Sequence, residues 1–169
     1  KRFHDGEAVS AKIVANLIQS AGADEFITFN IHEKCVLDFF DIPTTNISAM
    51  GAIAEYIDKK IDEKPLIVAP DKGYPFAQEI AGILECECTY LSKVRLGPDK
   101  VETRIVDVEG SSDETVNVDS VKDKKAFIID DIIATGGTIV NAVKILKEYG
   151  AKSVDVCCVH PILVNGATM

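Results

Sequence analysis

The run Phe127-Ile128-Ile129-Asp130-Asp131-Ile132-Ile133-Ala134-Thr135-Gly136-Gly137-Thr138 constrains the fold more than any other stretch of the chain. An apolar strand delivers two carboxylates to its C-terminal edge. A Thr-Gly-Gly-Thr turn then opens a helix predicted from about Thr138 to Tyr149, with Gly150 closing it. Ligands bind at such strand-to-helix turns in open α/β sheets. The glycines let backbone N–H groups approach an anion, the helix dipole favours negative charge, and Thr135 and Thr138 add hydroxyl donors. These residues form a phosphate cradle. Asp130 and Asp131 are unsuited to a phosphate, but carboxylates accept hydrogen bonds from vicinal hydroxyls or hold Mg²⁺ through water. A sugar phosphate satisfies both halves. An Asp helix cap would explain one carboxylate but neither the second nor the loop. The segment lacks the Gly-x-x-x-x-Gly-Lys-Ser/Thr and Gly-x-Gly-x-x-Gly patterns, so neither a nucleoside-triphosphatase P-loop nor a Rossmann NAD site is indicated.

Apolar spacing extends the pattern along the chain. Val9, Ile13, Val14, Leu17 and Ile18 share one face of a helix predicted over Glu7 to Ala21, which Gly22 stops. Phe26 to Ile31 reads as a strand. After the turn at Asp41-Ile42-Pro43, the residues Ile53, Ala54, Ile57 and Ile61 mark a second helix. Leu66 to Ala69 follows as a buried strand ended by Pro70 and Gly73, and Phe76, Ile80, Ile83 and Leu84 mark a third helix. Thr89 to Leu91, Ala126 to Ile129 and Val154 to Val159 complete the strands. Strands alternating with helices imply right-handed crossovers, hence an α/β fold with a mostly parallel sheet flanked by helices. Between Ser92 and Lys125 the alternation lapses into Gly97-Pro98-Asp99, an alternating Glu102 to Val108 stretch and a polar run from Glu109 to Glu114. This predicts a mobile antiparallel hairpin. The Ile47 to Ala52 region is a candidate boundary between two α/β units.

With 169 residues, 47% of them hydrophobic, the chain is long enough to bury roughly 70% of its unfolded surface. Eighteen basic against 27 acidic side chains give a net charge of −9. An acidic surface without a Lys/Arg run argues against nucleic-acid or anionic-membrane partners, both of which need cationic neutralisation of phosphates. No apolar stretch approaches a membrane span, and Lys1-Arg2-Phe3-His4-Asp5 leads into no signal-peptide core. The expectation is a cytoplasmic protein. Cys35, Cys86, Cys88, Cys157 and Cys158 lack zinc-site spacing, and their odd number suits reduced thiols used as small hydrophobes.

The strand, acid pair and loop resemble the phosphoribosyl-diphosphate signature of the type I phosphoribosyltransferase fold, which alone does not choose a reaction. The rest of the chain resembles the ribose-phosphate diphosphokinase family, notably its archaeal form, almost from end to end. Lys1-Arg2-Phe3 with Gly6-Glu7 resembles the end of that family's ATP segment. Ile31-His32 and Phe39-Phe40-Asp41-Ile42-Pro43 resemble its His-bearing strand and Phe-Phe-Asp-Ile-Pro turn. Val68-Ala69-Pro70-Asp71-Lys72-Gly73 resembles its diphosphate loop, Lys93-Val94-Arg95 its catalytic Lys-Arg-Arg segment, and His160-Pro161 its late His-Pro. The Phe-Phe-Asp-Ile-Pro and His-Pro elements separate it from nucleobase transferases.

The resemblance implies transfer of the diphosphoryl group of ATP to the C1 hydroxyl of ribose 5-phosphate, giving phosphoribosyl diphosphate and AMP, with Mg²⁺ as cofactor. It places the sugar phosphate on Asp130, Asp131, Ala134, Thr135, Gly136, Gly137, Thr138 and Arg95. Catalysis falls to Lys93 and Arg95, ATP binding to Lys1 and Arg2, and Mg²⁺ binding to His32 and Asp71. From the residues alone, Lys93 and Arg95 read equally as solvated charges on a strand, His32 as a structural histidine and Asp71 as a turn residue. His160-Pro161 reads first as a turn. Three positions depart from the family pattern: Ala134 and Asn30 stand where many members have Asp, and Val94 where they have Arg. The resemblance further implies a homo-oligomer of two-domain subunits. Residues 1–49 would form the second half of the first domain and 50–169 most of the second, with both ends of the chain truncated. The rival readings are a nucleobase phosphoribosyltransferase and a catalytically silent regulatory relative.

Overall fold

The alternating pattern condenses into two compact units, Lys1–Ser48 and Ala49–Met169, in a computed structural model that describes residues 9–71, 74–95, 101–106 and 121–164. In the first unit, α1 (Ser10–Ser20) ends where Gly22 takes a left-handed φ of 95°. Strand β1 (Phe26–Phe29) pairs in parallel with β2 (Thr44–Ile47), from Phe26↔Thr44 to Phe29↔Ile47. The strands are joined through a 3-10 helix, Lys34–Phe39, rather than an α-helix. β1 stops two residues short of the expected Ile31 because Asn30 turns to a positive φ of 39°. Side chains fix the following turn. The Phe26 and Phe40 rings stack at 4.3 Å, and Gln19 Oε1 accepts the N–H groups of Asp41 (2.5 Å) and Ile42 (3.2 Å). The apolar stripe of this helix is largely uncovered, with Leu17 63% exposed and only Ala15 of α1 buried.

The second unit holds a five-stranded sheet in the order β5-β4-β3-β6-β7. Its strands are β3 (Leu66–Ala69), β4 (Glu87–Arg95), β5 (Val101–Val106), β6 (Lys125–Ile133) and β7 (Ser153–Pro161). All neighbours are parallel except β4 and β5, which pair antiparallel from Tyr90↔Val106 to Arg95↔Val101. The expected hairpin is therefore present. Residues 96–100 and 107–120, including the polar run, lie outside the described residues.

Side-chain alternation along each strand decides which layer it meets. Ile67, Ala69, Phe127 and Ile129 pack with Met50, Ala54 and Ile57 of α2 (Met50–Lys60) and with Ala77, Ile80 and Leu84 of α3 (Tyr74–Leu84). Leu66, Val68, Ala126 and Ile128 face the other way, onto Ala142 and Leu146 of α4 (Gly137–Glu148). A sheet covered on both faces accounts for the wholly buried Leu-Ile-Val-Ala of β3.

The amino edge of this sheet is tied by charge. Lys124 meets Glu87 at 2.6 Å, Lys125 and Lys152 meet Glu63 at 3.4 and 3.3 Å, and Lys60 meets Asp155 at 2.8 Å. The carboxyl edge carries different chemistry. From β3 the chain winds outward through β4 and β5, then returns to β6 on the far side of β3. That reversal opens a crevice at the carboxyl ends of β3 and β6, where open α/β sheets bind ligands.

Candidate functional site

Strand β6 runs longer than its apolar residues predict, through both acids to Ile133. Its ladder with β3 closes at Val68↔Ile128, whereas that with β7 continues to Ile133↔Pro161. Asp130 and Asp131 therefore project past the end of β3. Alternation sends them to opposite faces of the sheet, Asp130 with Ile128 and Asp131 with Ile129. Asp131 is 5% exposed, while Asp130 is half-buried, so the two carboxylates are not equivalent. Asp130 lies across from Cys158 of β7. Burial raises the Cys158 thiol pKa, and the negative charge of Asp130 raises it further, which places both groups on one face.

Beyond β6, Ala134 to Gly136 form a bend and α4 begins at Gly137. Gly136 holds the cap position at φ 77°, a left-handed turn that residues with a Cβ rarely adopt, and its carbonyl accepts the Val140 N–H at 2.9 Å. The cap residue is itself a glycine, so no side chain at that position bonds the start of the helix. The helix begins just past the carboxyl end of β6 with the positive end of its dipole at that edge, an arrangement that suits an anion. Thr135 and Thr138 flank that turn. A methyl on Gly137 would meet Thr135 Oγ1 at 3.8 Å, an ordinary contact inside the protein.

The other sequence-predicted residues divide by element. Asp71 is exposed just after β3 and Pro70, at the carboxyl end of that strand. Lys93 and Arg95 lie at the carboxyl end of β4, opposite Thr103 and Val101 of β5. One sheet edge therefore carries the cradle, the acid pair, Asp71 and the backbone of Lys93 and Arg95. His32 belongs to the first unit, exposed after Asn30 and Ile31. Lys1 and Arg2 lie outside the described residues. Among the described residues, no three His, Cys, Asp or Glu side chains cluster closely enough to hold a metal ion by themselves.

Three features escape sequence reasoning. Asn30, 4% exposed, donates its N–H to Ile47 O at 3.0 Å, and the Asn46 side-chain carbonyl accepts the Ile31 N–H at 3.0 Å, so both hold the chain just before His32. His160-Pro161 ends β7, paired with Ile132 and Ile133, and the turn read there from the sequence begins at that strand end, where the His160 carbonyl accepts the Ile162 N–H at 3.1 Å. Residues 162–164 then bond to the cradle's entrance. No periodicity announces any of these.

The phosphoribosyl transferase domain family matches residues 36–166. The chain belongs to that family. As a phosphoribosyl transferase domain, it is 97% identical over 170 residues to a ribose-phosphate pyrophosphokinase of Methanobrevibacter smithii, covering all of this chain and 57% of that protein. It is 51% identical over 170 residues to the ribose-phosphate pyrophosphokinase of Methanothermobacter thermautotrophicus, again over the whole chain and 55% of the relative. The crystal structure of phosphoribosylpyrophosphate synthetase from Mycobacterium smegmatis superposes with a TM-score of 0.81 at 31% identity, over 99% of this chain and 51% of that one. This phosphoribosyl transferase domain thus spans just over half the length of the relatives it matches. No helix among its described residues is long and apolar enough to cross a membrane.

Proposed function

We propose that the protein containing this chain is a ribose-phosphate diphosphokinase. The sheet edge supports a phosphorylated sugar, with the phosphate at the turn into α4 and the ribose hydroxyls beside Asp130. The observation that selects the reaction within the family is 97% identity to a ribose-phosphate pyrophosphokinase along the entire chain.

In this reading the C1 hydroxyl oxygen of ribose 5-phosphate attacks the β-phosphorus of ATP in line. A C1–O–P bond forms, the bond from the β-phosphorus to the oxygen bridging it to the α-phosphorus breaks, AMP leaves with that oxygen, and the hydroxyl proton passes to solvent. The protein contributes position and charge: Thr135 to Thr138 fix the 5-phosphate, Asp130 orients the ribose, and Lys93 and Arg95 meet charge developing on the transferred group. Asp71 would supply a hard oxygen donor suited to Mg²⁺, and the family resemblance also gives His32, in the first unit, a metal-binding role. The ion would neutralise phosphate charge and take its remaining ligands from water and phosphate oxygens. Lys1 and Arg2 are assigned to ATP. Free thiols fit a cytoplasmic location, and the exposed apolar faces fit a homo-oligomer of larger subunits.

Substrate comparison on the full-length protein tests this reading. ATP with ribose 5-phosphate is expected to yield AMP, and phosphoribosyl diphosphate with adenine, hypoxanthine or uracil no nucleotide. The reverse outcome assigns a nucleobase transferase. Binding of ribose 5-phosphate without AMP formation assigns a silent relative.

A further inference from the structure

Beyond Pro161 the ladder between β6 and β7 does not simply end. Ile133↔Pro161 is the last registered pair, and continuing in step would set Ile162 beside Ala134. The Ile162 N–H makes the ladder's ordinary bond to Ile133 O at 3.0 Å, but the Leu163 N–H donates to that same carbonyl at 3.1 Å and the Val164 N–H to Ala134 O at 3.0 Å. Three residues after β7 are gathered onto two carbonyls at the end of β6. The Ile162 N–H is shared with His160 O at 3.1 Å, which starts the bend, and Leu163 completes it with φ at 51°. A left-handed leucine is uncommon, because its Cβ crowds the following carbonyl. The side chains of Ile162, Leu163 and Val164 are 58%, 40% and 41% exposed, so burial does not explain the path they take. What holds the segment is its backbone contact with the start of the cradle.

That contact has a geometric consequence for the loop. In a trans peptide the C=O and the next residue's N–H point in opposite directions. With Ile133 O and Ala134 O held toward the β7 side, the N–H groups of Ala134 and Thr135 are turned the other way, toward the β3 side of β6 where the crevice opens. Amides already aimed at an anion need no reorganisation when it arrives.

We propose that Ile162–Val164 is a positioning strap for the phosphate loop, and that the left-handed turn at Leu163 orients the Ala134 and Thr135 amides for the 5-phosphate of the sugar. This rests on the sugar-phosphate reading of the cradle given above. Leu163 touches no reacting atom and acts through the loop.

The test uses the full-length protein with three substitutions. Leu163→Val is β-branched and resists a positive φ. Leu163→Asn tolerates it. Asp130→Asn serves as a cradle control. Calorimetric titration with ribose 5-phosphate, the KM for ATP, and amide exchange at Val164 are read together. Leu163→Val is expected to weaken ribose 5-phosphate roughly tenfold, leave the ATP KM within about twofold, and speed Val164 exchange, with Leu163→Asn close to the unaltered protein on all three. The strap is refuted if Leu163→Val binds the sugar phosphate normally, or loses both substrates and all amide protection together. It is refuted equally if Val164 exchanges freely in the unaltered protein, a result that stands even should Leu163→Val not fold. If the unaltered protein does not bind ribose 5-phosphate, or Asp130→Asn binds it equally well, the sugar-phosphate reading itself fails and takes the strap's role with it.

Discussion

Asp130 accepts the backbone N–H of its neighbour Asp131 through Oδ1 at 2.9 Å. The bond fixes the rotamer of the more accessible of the two acids. An amide oxygen at the same position accepts the same N–H, so Asp130→Asn removes charge without disturbing the strand. Ribose 5-phosphate affinity is expected to fall about tenfold or more, in keeping with loss of hydrogen bonds to a charged group, and ATP affinity far less. Titration with each ligand separately decides it, and equal losses would remove Asp130 from the sugar.

The two glycines of the turn are expected to respond in opposite ways. Gly136 sits at φ 77°, so Gly136→Ala should cost about 1–2 kcal/mol of stability and lower Tm. Gly137 begins the helix, where a methyl meets only Thr135 Oγ1 at 3.8 Å. Gly137→Ala should keep or raise Tm by the helix preference of alanine, about 0.5–1 kcal/mol, yet weaken ribose 5-phosphate because the methyl occupies the anion's approach. Melting curves with and without ribose 5-phosphate separate the two effects.

Lys93 lies on β4, opposite Thr103 of β5. Its proposed work is on charge that develops during transfer. Lys93→Ala is therefore expected to lower kcat by about a hundredfold or more with ribose 5-phosphate affinity nearly unchanged. Turnover near the unaltered level would return Lys93 to a solvated strand charge.

Burial pushes the Cys88 thiol up to about 12, with neighbouring Cys86 adding to the effect, and raises Cys86 and Cys157 as well. Below the ordinary thiol value of 9.0, folded and unfolded chains both keep these protons. Above it the unfolded chain releases them first, so fewer protons are bound unfolded than folded and stability falls as pH rises from about 9 toward 12. Chemical denaturation from pH 7 to 11 should show the decline, and Cys88→Ala should reduce its slope. At neutral pH the exposed Cys35 is expected to react with thiol reagents ahead of Cys88.

What the sequence revealed followed from local chemistry. The turn from β6 into α4 was legible because Gly136 is needed for a left-handed turn, and β3 because four buried apolar residues lie between turn signals. Long-range pairing was not legible. β2 reads Thr-Thr-Asn-Ile, with no alternation, and exists through its ladder to β1. The extra lengths of β6 and β7 likewise come from each pairing with the other, which carries polar Asp130 and His160 into strands. Leu17 was read correctly as helical, but periodicity alone does not say what covers an apolar face, and Leu17 is 63% exposed. The strap at Ile162–Val164 consists of backbone bonds and carries no residue-type signal. Family resemblance supplied what local chemistry could not, since Lys93, Asp71 and His32 are ordinary polar residues until a family motif assigns them roles.

The most direct test of the central claim is the product balance of the full-length protein supplied with ATP, ribose 5-phosphate and Mg²⁺, with AMP and phosphoribosyl diphosphate quantified in the same samples. One AMP for each phosphoribosyl diphosphate, with no ADP formed, is the expected result. Release of ADP, or the absence of both products while ribose 5-phosphate remains bound, would contradict diphosphoryl transfer at this site.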